Sequence, residues 1–181
     1  MGELFTRGTI DLALVGFFGS LALRGLSARD SLEKSRTKGK EGAGDWAIWN
    51  WARWTWSLGA LLLLVHIVCA FHYHHDWSHA AAVAHTARQT EALLGFAFGG
   101  GVWINYLFAI VWTADALWWW QVGHDGYRNR SAIWRLVVFG FLVFIVINGA
   151  IVFEDGIVRW ASLLALISLA AIKKRTGRRY G

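Results

Sequence analysis

Histidine is concentrated in one short stretch of this 181-residue chain, since six of the seven histidines lie between positions 66 and 85. On a continuous helix, His72, His75 and His79 share one face at spacings i, i+3 and i+7. His75 and His79 also have the i, i+4 spacing with which two imidazoles on one helix bind the same metal ion. Asp76 lies among them, where a carboxylate can bind the metal or orient an imidazole. The sequence therefore predicts a metal site made by His72, His75, Asp76 and His79.

Imidazole and carboxylate ligands suit Zn, Cu or Fe, and the geometry of the site chooses among these metals. A metal ion usually takes a further ligand from elsewhere in the fold. The candidate carboxylates on that side are Glu3, Asp11, Glu91, Glu154 and Asp155. Glu154 and Asp155 are favoured, because they follow an apolar stretch that ends on the same side as the histidines. The alternative interpretation is a solvated, histidine-rich loop without a specific site.

A polar layer is predicted inside the apolar stretches, just beneath the histidine segment. Asp11, His66, Asn105 and Asn148 fall at a similar depth once the stretches are drawn as alternating helices. Polar side chains inside a membrane span are costly and often functional, although they also join helices by hydrogen bonds. His66 is the candidate cofactor ligand of this layer. Haem is a weaker interpretation than a metal ion, because no second span histidine is placed to complete an axial pair.

The elements that must position these residues are predicted to be transmembrane helices. The composition is 56% hydrophobic and 17% charged, with no proline, which excludes a disordered chain and favours a lipid environment. Five stretches approach the length of about 20 residues that crosses a bilayer. They cover residues 5–23, 51–71, 102–120, 134–153 and 157–172. We therefore expect an all-α integral membrane protein, a single domain over residues 1–181 with about five transmembrane helices.

Two segments outside the spans complete the predicted organisation. Residues 25–45 are polar and rich in glycine and serine, which indicates a flexible cytoplasmic linker. Residues 72–98 form the long external connection, with an alanine-rich helix from about residue 76 to residue 94.

The basic residues predict the orientation. With five spans, 15 of the 18 lysines and arginines fall on one side of the membrane, in the linker, the third connection, the tail and Arg53. The positive-inside rule places that side in the cytoplasm. We therefore expect an inner or plasma membrane protein with its N-terminus outside and its C-terminus inside. The net charge of +6 is then explained by topology and lipid headgroups, without nucleic acid.

Tryptophan and Asp115 mark the predicted cytoplasmic ends of the helices. Ten of the thirteen tryptophans lie there, as in the aromatic belts of membrane proteins. A platform for a pigment or quinone, built from Trp49, Trp56 or Trp112, is the alternative. Asp115 is predicted to form an ion pair that packs the helices, with Arg53 or Arg135 as candidate partners.

Two functions are consistent with these features. The first is a metal-binding membrane protein that handles a metal or carries out redox chemistry at its outer face. The second is a non-catalytic accessory subunit of a larger redox or energy-transducing membrane complex, with other subunits as partners. The chain has no GxSxG motif and no CxxC pair, and its single cysteine is Cys69. Whether the protein is an enzyme is therefore left open by its sequence.

Overall fold

The structure is a computed structural model that describes residues 1–36, 43–152 and 157–178. The described residues form helices joined by short turns and contain no strand, which confirms the all-α prediction. The helices are α1 (Gly2–Arg36), α2 (Ala43–His74), α3 (His79–Leu94), α4 (Gly101–Arg128), α5 (Ala132–Ile147) and α6 (Ile157–Arg178). A π-helical turn, Asn148–Val152, extends α5.

Helices α1 and α2 form a long antiparallel pair that is closely packed through small residues. A Cβ atom on Gly16 would lie 2.9 Å from the Cα atom of Gly59, so the two backbones touch at this point. One turn further along α1, the hydroxyl of Ser20 donates to the carbonyl oxygen of Ala52 at 2.7 Å. Small residues and interhelical hydrogen bonds of this kind are typical of helix packing in membranes.

Helix α4 packs antiparallel against α2 along most of its length. The rings of Tyr106 and Phe71 lie 6.5 Å apart near one end, and Trp120 donates to the hydroxyl of Ser57 at 2.8 Å towards the other. The core between these contacts contains three aromatic rings from three helices. Phe17, Trp56 and Trp112 lie with their ring centres 5.2 Å apart in each pair.

The two ends of the bundle differ in their residues and are named accordingly. The histidine end holds the start of α1, the end of α2, and α3. The arginine end holds Arg24, Arg130 and the starts of α2 and α5.

Three helical segments are long and apolar enough to cross a membrane: Gly2–Ser27, Trp46–His74 and Ala132–Ala150. They overlap three of the five predicted spans. The predicted span 102–120 lies in α4, whose many tryptophans lower its mean hydropathy. Helix α4 is not among the three segments of the described residues that meet this criterion. The predicted span 157–172 is helical, with a short apolar stretch at Arg159–Ser168.

The region predicted as a flexible linker differs from the structure. Helix α1 continues to Arg36 and α2 begins at Ala43, so most of the segment 25–45 is helical. Its sequence contains no proline, and its alanine, arginine, glutamate and lysine residues favour a helix. Residues 37–42 lie outside the described part of the chain.

Only part of the predicted tryptophan belt lies on the surface. Trp46, Trp51, Trp54, Trp120 and Trp134 are exposed, as expected of indoles at a membrane boundary. In contrast, three tryptophans are completely or almost completely buried and form the core: Trp56, Trp112 and Trp119.

Candidate functional site: a cavity lined by histidines

The histidine segment does not lie on one continuous helix. Helix α2 ends at His74, and the chain reverses through a turn in which Asp76 and Trp77 have positive φ angles of 45° and 59°. Ser78 then caps α3 by accepting a hydrogen bond from the backbone N–H of Ala81. Because α2 ends before His75, the residues His72, His75 and His79 do not share one face of a continuous helix.

The residues predicted as metal ligands contact different neighbours. The His72 ring lies 4.6 Å from the ring of Tyr73, and His79 Nδ1 lies 3.1 Å from the hydroxyl of Tyr106. Asp76 is in the turn. Within the described residues, no three histidine, cysteine or carboxylate side chains are close enough together to hold a metal ion. Glu154 and Asp155, the predicted additional ligands, lie outside the described residues.

The turn brings together a different pair of histidines. The ring centres of His75, at the end of α2, and His85, in α3, lie 5.4 Å apart. Helical spacing does not predict this pair, because it applies only where the helix is continuous, whereas the chain reverses between the two residues. The signal that could have found it is the Asp76-Trp77-Ser78 sequence, since Asp tolerates positive φ and Ser caps helices.

A cavity of about 570 Å³ opens beside this pair, between α1, α2, α3, α4 and α5. Its volume is within the usual range for small-molecule sites, about 300–1,000 Å³. Four histidines line it: His66, His74, His75 and His85. Its inner part is apolar, with Leu63, Phe108, Trp112, Ile145 and Val146 among the lining residues. His72, Asp76 and His79 do not line it.

His66 is held in a defined orientation inside this cavity. Its Nδ1 lies 2.9 Å from the carbonyl oxygen of Thr6 in α1. A carbonyl oxygen only accepts hydrogen bonds, so Nδ1 carries the hydrogen. In the neutral ring, Nε2 is then left with its lone pair free, as in many histidines that bind metals or accept hydrogen bonds from ligands. This geometry is consistent with the predicted role of His66 as a cofactor ligand and does not test it.

Three of the four residues in the predicted polar layer line the same cavity. Asp11 comes from α1, His66 from α2 and Asn105 from α4. Asn148 does not line it. Its half-buried side chain donates to the carbonyl oxygen of Phe144 one turn earlier, at 2.7 Å. The expected convergence from different helices therefore holds for three helices.

The electrostatics of the cavity mouth favour a neutral imidazole at His75. Partial burial, followed by repulsion from the neighbouring rings of His85 and His74, lowers the pKa of His75 below its ordinary value of 6.5. A neutral imidazole is the form that binds a metal ion. The mouth thus holds His75 in its ligand form at neutral pH.

The arginine end holds a second polar cluster, which is closed. Asp115 accepts hydrogen bonds from Trp56 Nε1 at 3.0 Å, from the hydroxyl of Tyr127 at 2.6 Å, and from Arg130. The side chains of Asp115 and Arg130 are only 3% and 1% exposed. The predicted ion pair therefore exists and packs the helices, but its partner is Arg130, in place of the suggested Arg53 or Arg135. Arg53 stacks instead on Trp120, 3.8 Å from the ring centre.

A backbone feature of α4 explains the choice of Arg130. Gly123 has φ 69° and ψ −172°, which kinks the helix. Positive φ is readily available to glycine. The turn that follows folds back, so that Tyr127 stacks on Trp119 with ring centres 4.1 Å apart. Tyr127 and Arg130 thereby return to Asp115, which a straight helix would not allow.

Arg24 completes the closed cluster from α1. Its guanidinium lies 4.4 Å from the ring centre of Trp56 and 4.5 Å from that of Trp119, and it donates to the hydroxyl of Tyr127 at 3.2 Å. Cation–π contacts of this kind are stronger when they are removed from water. The arginine end therefore joins α1, α2, α4 and α5 around a closed cluster, and a separate open groove of about 520 Å³ lies at the start of α2, lined by Trp46, Trp51 and Trp54.

No protein-family model, no curated protein and no solved structure matches this chain. A function for the cavity therefore has to follow from its own residues.

Proposed function

We propose that this membrane protein binds a transition-metal ion at the mouth of the histidine cavity, through His75 and His85. The observation that supports this proposal most directly is the separation of 5.4 Å between their ring centres. In a tetrahedral site with metal–nitrogen bonds of about 2.0–2.1 Å, two ligand imidazoles have ring centres about 5 Å apart. The observed separation of the two ring centres is close to that value.

The proposed site has positions for further ligands. The cavity is open at its mouth, so water can occupy these positions, and no third histidine, cysteine or carboxylate of the described residues is close enough to do so. A metal ion with fewer than four protein ligands keeps open positions, whereas structural zinc sites are closed by four. An exchangeable ion fits this arrangement, so metal handling is favoured over a permanently bound structural metal. Zn, Cu and Fe are the metals suited to imidazole ligands.

The membrane arrangement belongs to the same proposal. Five crossings place 15 of the 18 basic residues on the side of the arginine end, which the positive-inside rule assigns to the cytoplasm. The histidine cavity then opens to the outer face of an inner or plasma membrane. A metal bound there is exchanged with the outside.

Metal analysis tests the proposal on protein purified gently, without a His tag, from its native membrane. We expect about one metal ion per chain. His75→Ala combined with His85→Ala should remove it. His72→Ala combined with His79→Ala is the matched control, because neither residue lines the cavity, and it should keep the metal.

The contrast between these two double variants decides between ligand sets. Full metal content in the His75/His85 variant would rule out the proposed site. Loss of metal only in the His72/His79 variant would instead support the set predicted from helical spacing. Equal content in both variants and in the unchanged protein would leave the histidines without a metal role.

A further inference from the structure

The polar layer inside the cavity is rich in hydrogen-bond acceptors. Asp11 contributes a carboxylate, and His66 contributes Nε2, because its Nδ1 hydrogen is already donated to Thr6. Asn105 contributes an amide that can donate and accept. Within the described chain, neither Asp11 nor Asn105 forms a side-chain hydrogen bond. These groups come from three helices, face one cavity and leave their acceptors unused.

The charged residues of the lining favour a ligand with hydrogen-bond donors and a positive charge. Three fully charged residues line the cavity: Glu3, Arg7 and Asp11. Glu3 and Arg7 form an i, i+4 ion pair with a separation of 3.4 Å at the exposed rim. Asp11 has no such ion pair, so the formal charges of these three residues leave the lining with one uncompensated negative charge. A carboxylate in a membrane span is costly unless a cation or hydrogen-bond donors accompany it.

The apolar part of the cavity defines the rest of the ligand. Phe108 and Val146 are buried side chains that line it together with Leu63. A small inorganic cation would leave this apolar volume unfilled. An apolar group would gain about 25 cal/mol for each Å² that it removes from water. The ligand that satisfies both parts has N–H donors, a positive charge and an apolar body.

We propose that the cavity binds a lipophilic ammonium compound, whose charged head donates to Asp11 and His66 and whose apolar body packs against Phe108 and Val146. This inference is independent of the metal site, since it uses the interior of the cavity and none of the proposed metal ligands. It predicts selection by charge among amphiphiles that have the same chain.

The test uses the full chain in detergent, treated with EDTA so that a bound metal cannot contribute. The melting temperature is measured with increasing octylammonium, octanol or octanoate. A ligand that binds only the folded state raises the melting temperature with its concentration. We expect a saturable rise with octylammonium, a much smaller effect of octanol and none of octanoate. Equal effects of octylammonium and octanol would show apolar filling alone and would overturn the proposal, as would stronger binding of octanoate.

A pair of variants locates the site. Asp11→Asn keeps the shape of the side chain and removes its charge, and it should weaken octylammonium binding by at least about tenfold, since hydrogen bonds to charged groups are the strong ones. Asp125→Asn removes the same charge from an exposed position at the arginine end and should leave binding unchanged. Equal affinity in both variants would place the ammonium elsewhere. If Asp11→Asn does not fold, the ligand series on the unchanged protein still decides.

Discussion

The two ends of the bundle use polar side chains in opposite ways. At the arginine end, both oxygens of the Asp115 carboxylate are occupied by donors from α2, α4 and the turn that follows it. At the histidine end, Asp11 and Asn105 have no side-chain hydrogen bond within the described residues, and His66 keeps one nitrogen free. The first cluster is buried among aromatic rings, whereas the second surrounds a cavity of about 570 Å³.

This difference separates a structural role from a binding role. A buried polar group has to be hydrogen-bonded, because its desolvation is otherwise uncompensated. Asp115 meets that requirement inside the protein. At the histidine cavity, Asp11 and His66 are half-buried and Asn105 is exposed, so water or a ligand can reach them. This agrees with the proposal that this end binds and the other end holds the helices together. Substitutions at each end of the bundle test this difference.

The largest effect is expected from Asp115→Asn at the arginine end. The substitution keeps the size of the side chain, removes the charge that pairs with Arg130 and leaves two guanidinium groups without a counter-charge. Breaking a buried ion pair by removing one partner typically costs about 3–5 kcal/mol. We expect a large loss in the free energy of unfolding, or no folded protein, in detergent denaturation experiments.

Asp125→Asn is the control, since Asp125 is exposed. Equal stabilities of the two variants would contradict the structural role of Asp115.

A smaller effect is expected where the two ends meet, at the contact of Gly59 with Trp112. A Cβ atom on Gly59 would lie 2.7 Å from Trp112 Cζ2, and Trp112 both lines the cavity and contacts the Trp56 ring. Gly59→Ala should therefore destabilise the protein by about 1–3 kcal/mol through overpacking.

Gly140→Ala is the matched control in α5, because no atom lies within 4 Å of its added Cβ. That variant should be neutral or stabilising by about 0.5–1 kcal/mol. Equal losses in both variants would show that the contact is unimportant.

The fold was predictable from the sequence where the signal is local. Length, apolar composition and the absence of proline indicate long helices, and α1, α2 and α5 contain them close to the predicted positions. The common depth of Asp11, His66 and Asn105 was also predictable, since alternating helices of known length align their ends. The membrane orientation and the number of crossings remain predictions, because the structure contains no bilayer.

The side-chain contacts that the sequence did not predict depend on chain reversals. His85 reaches His75 because Trp77, a bulky residue, adopts positive φ, which is uncommon and has no sequence signal of its own. Arg130 reaches Asp115 because Gly123 kinks α4. In both places, residues that are distant along a helix become neighbours. Helical spacing alone does not predict such neighbours.

The smallest expected effect is on the pH dependence of stability, to which each end contributes through one histidine. Burial and neighbouring imidazoles lower the pKa of His75, and burial followed by Arg53 lowers the pKa of His124 at the arginine end. Below pH 6.5 the unfolded chain then binds more protons than the folded protein, so stability falls as the pH decreases from about 6.5.

Melting temperatures of metal-free protein between about pH 8 and pH 5 measure this dependence across the range in which histidine titrates. His75→Ala should remove the contribution of the cavity mouth, and His124→Ala should remove that of the arginine end. His72→Ala is the control. If His75→Ala leaves the slope unchanged while His124→Ala abolishes it, the surroundings of His75 do not lower its pKa, and the mouth does not favour its neutral form. A smaller slope in both variants would show that each end titrates independently, as expected for clusters separated by the aromatic core.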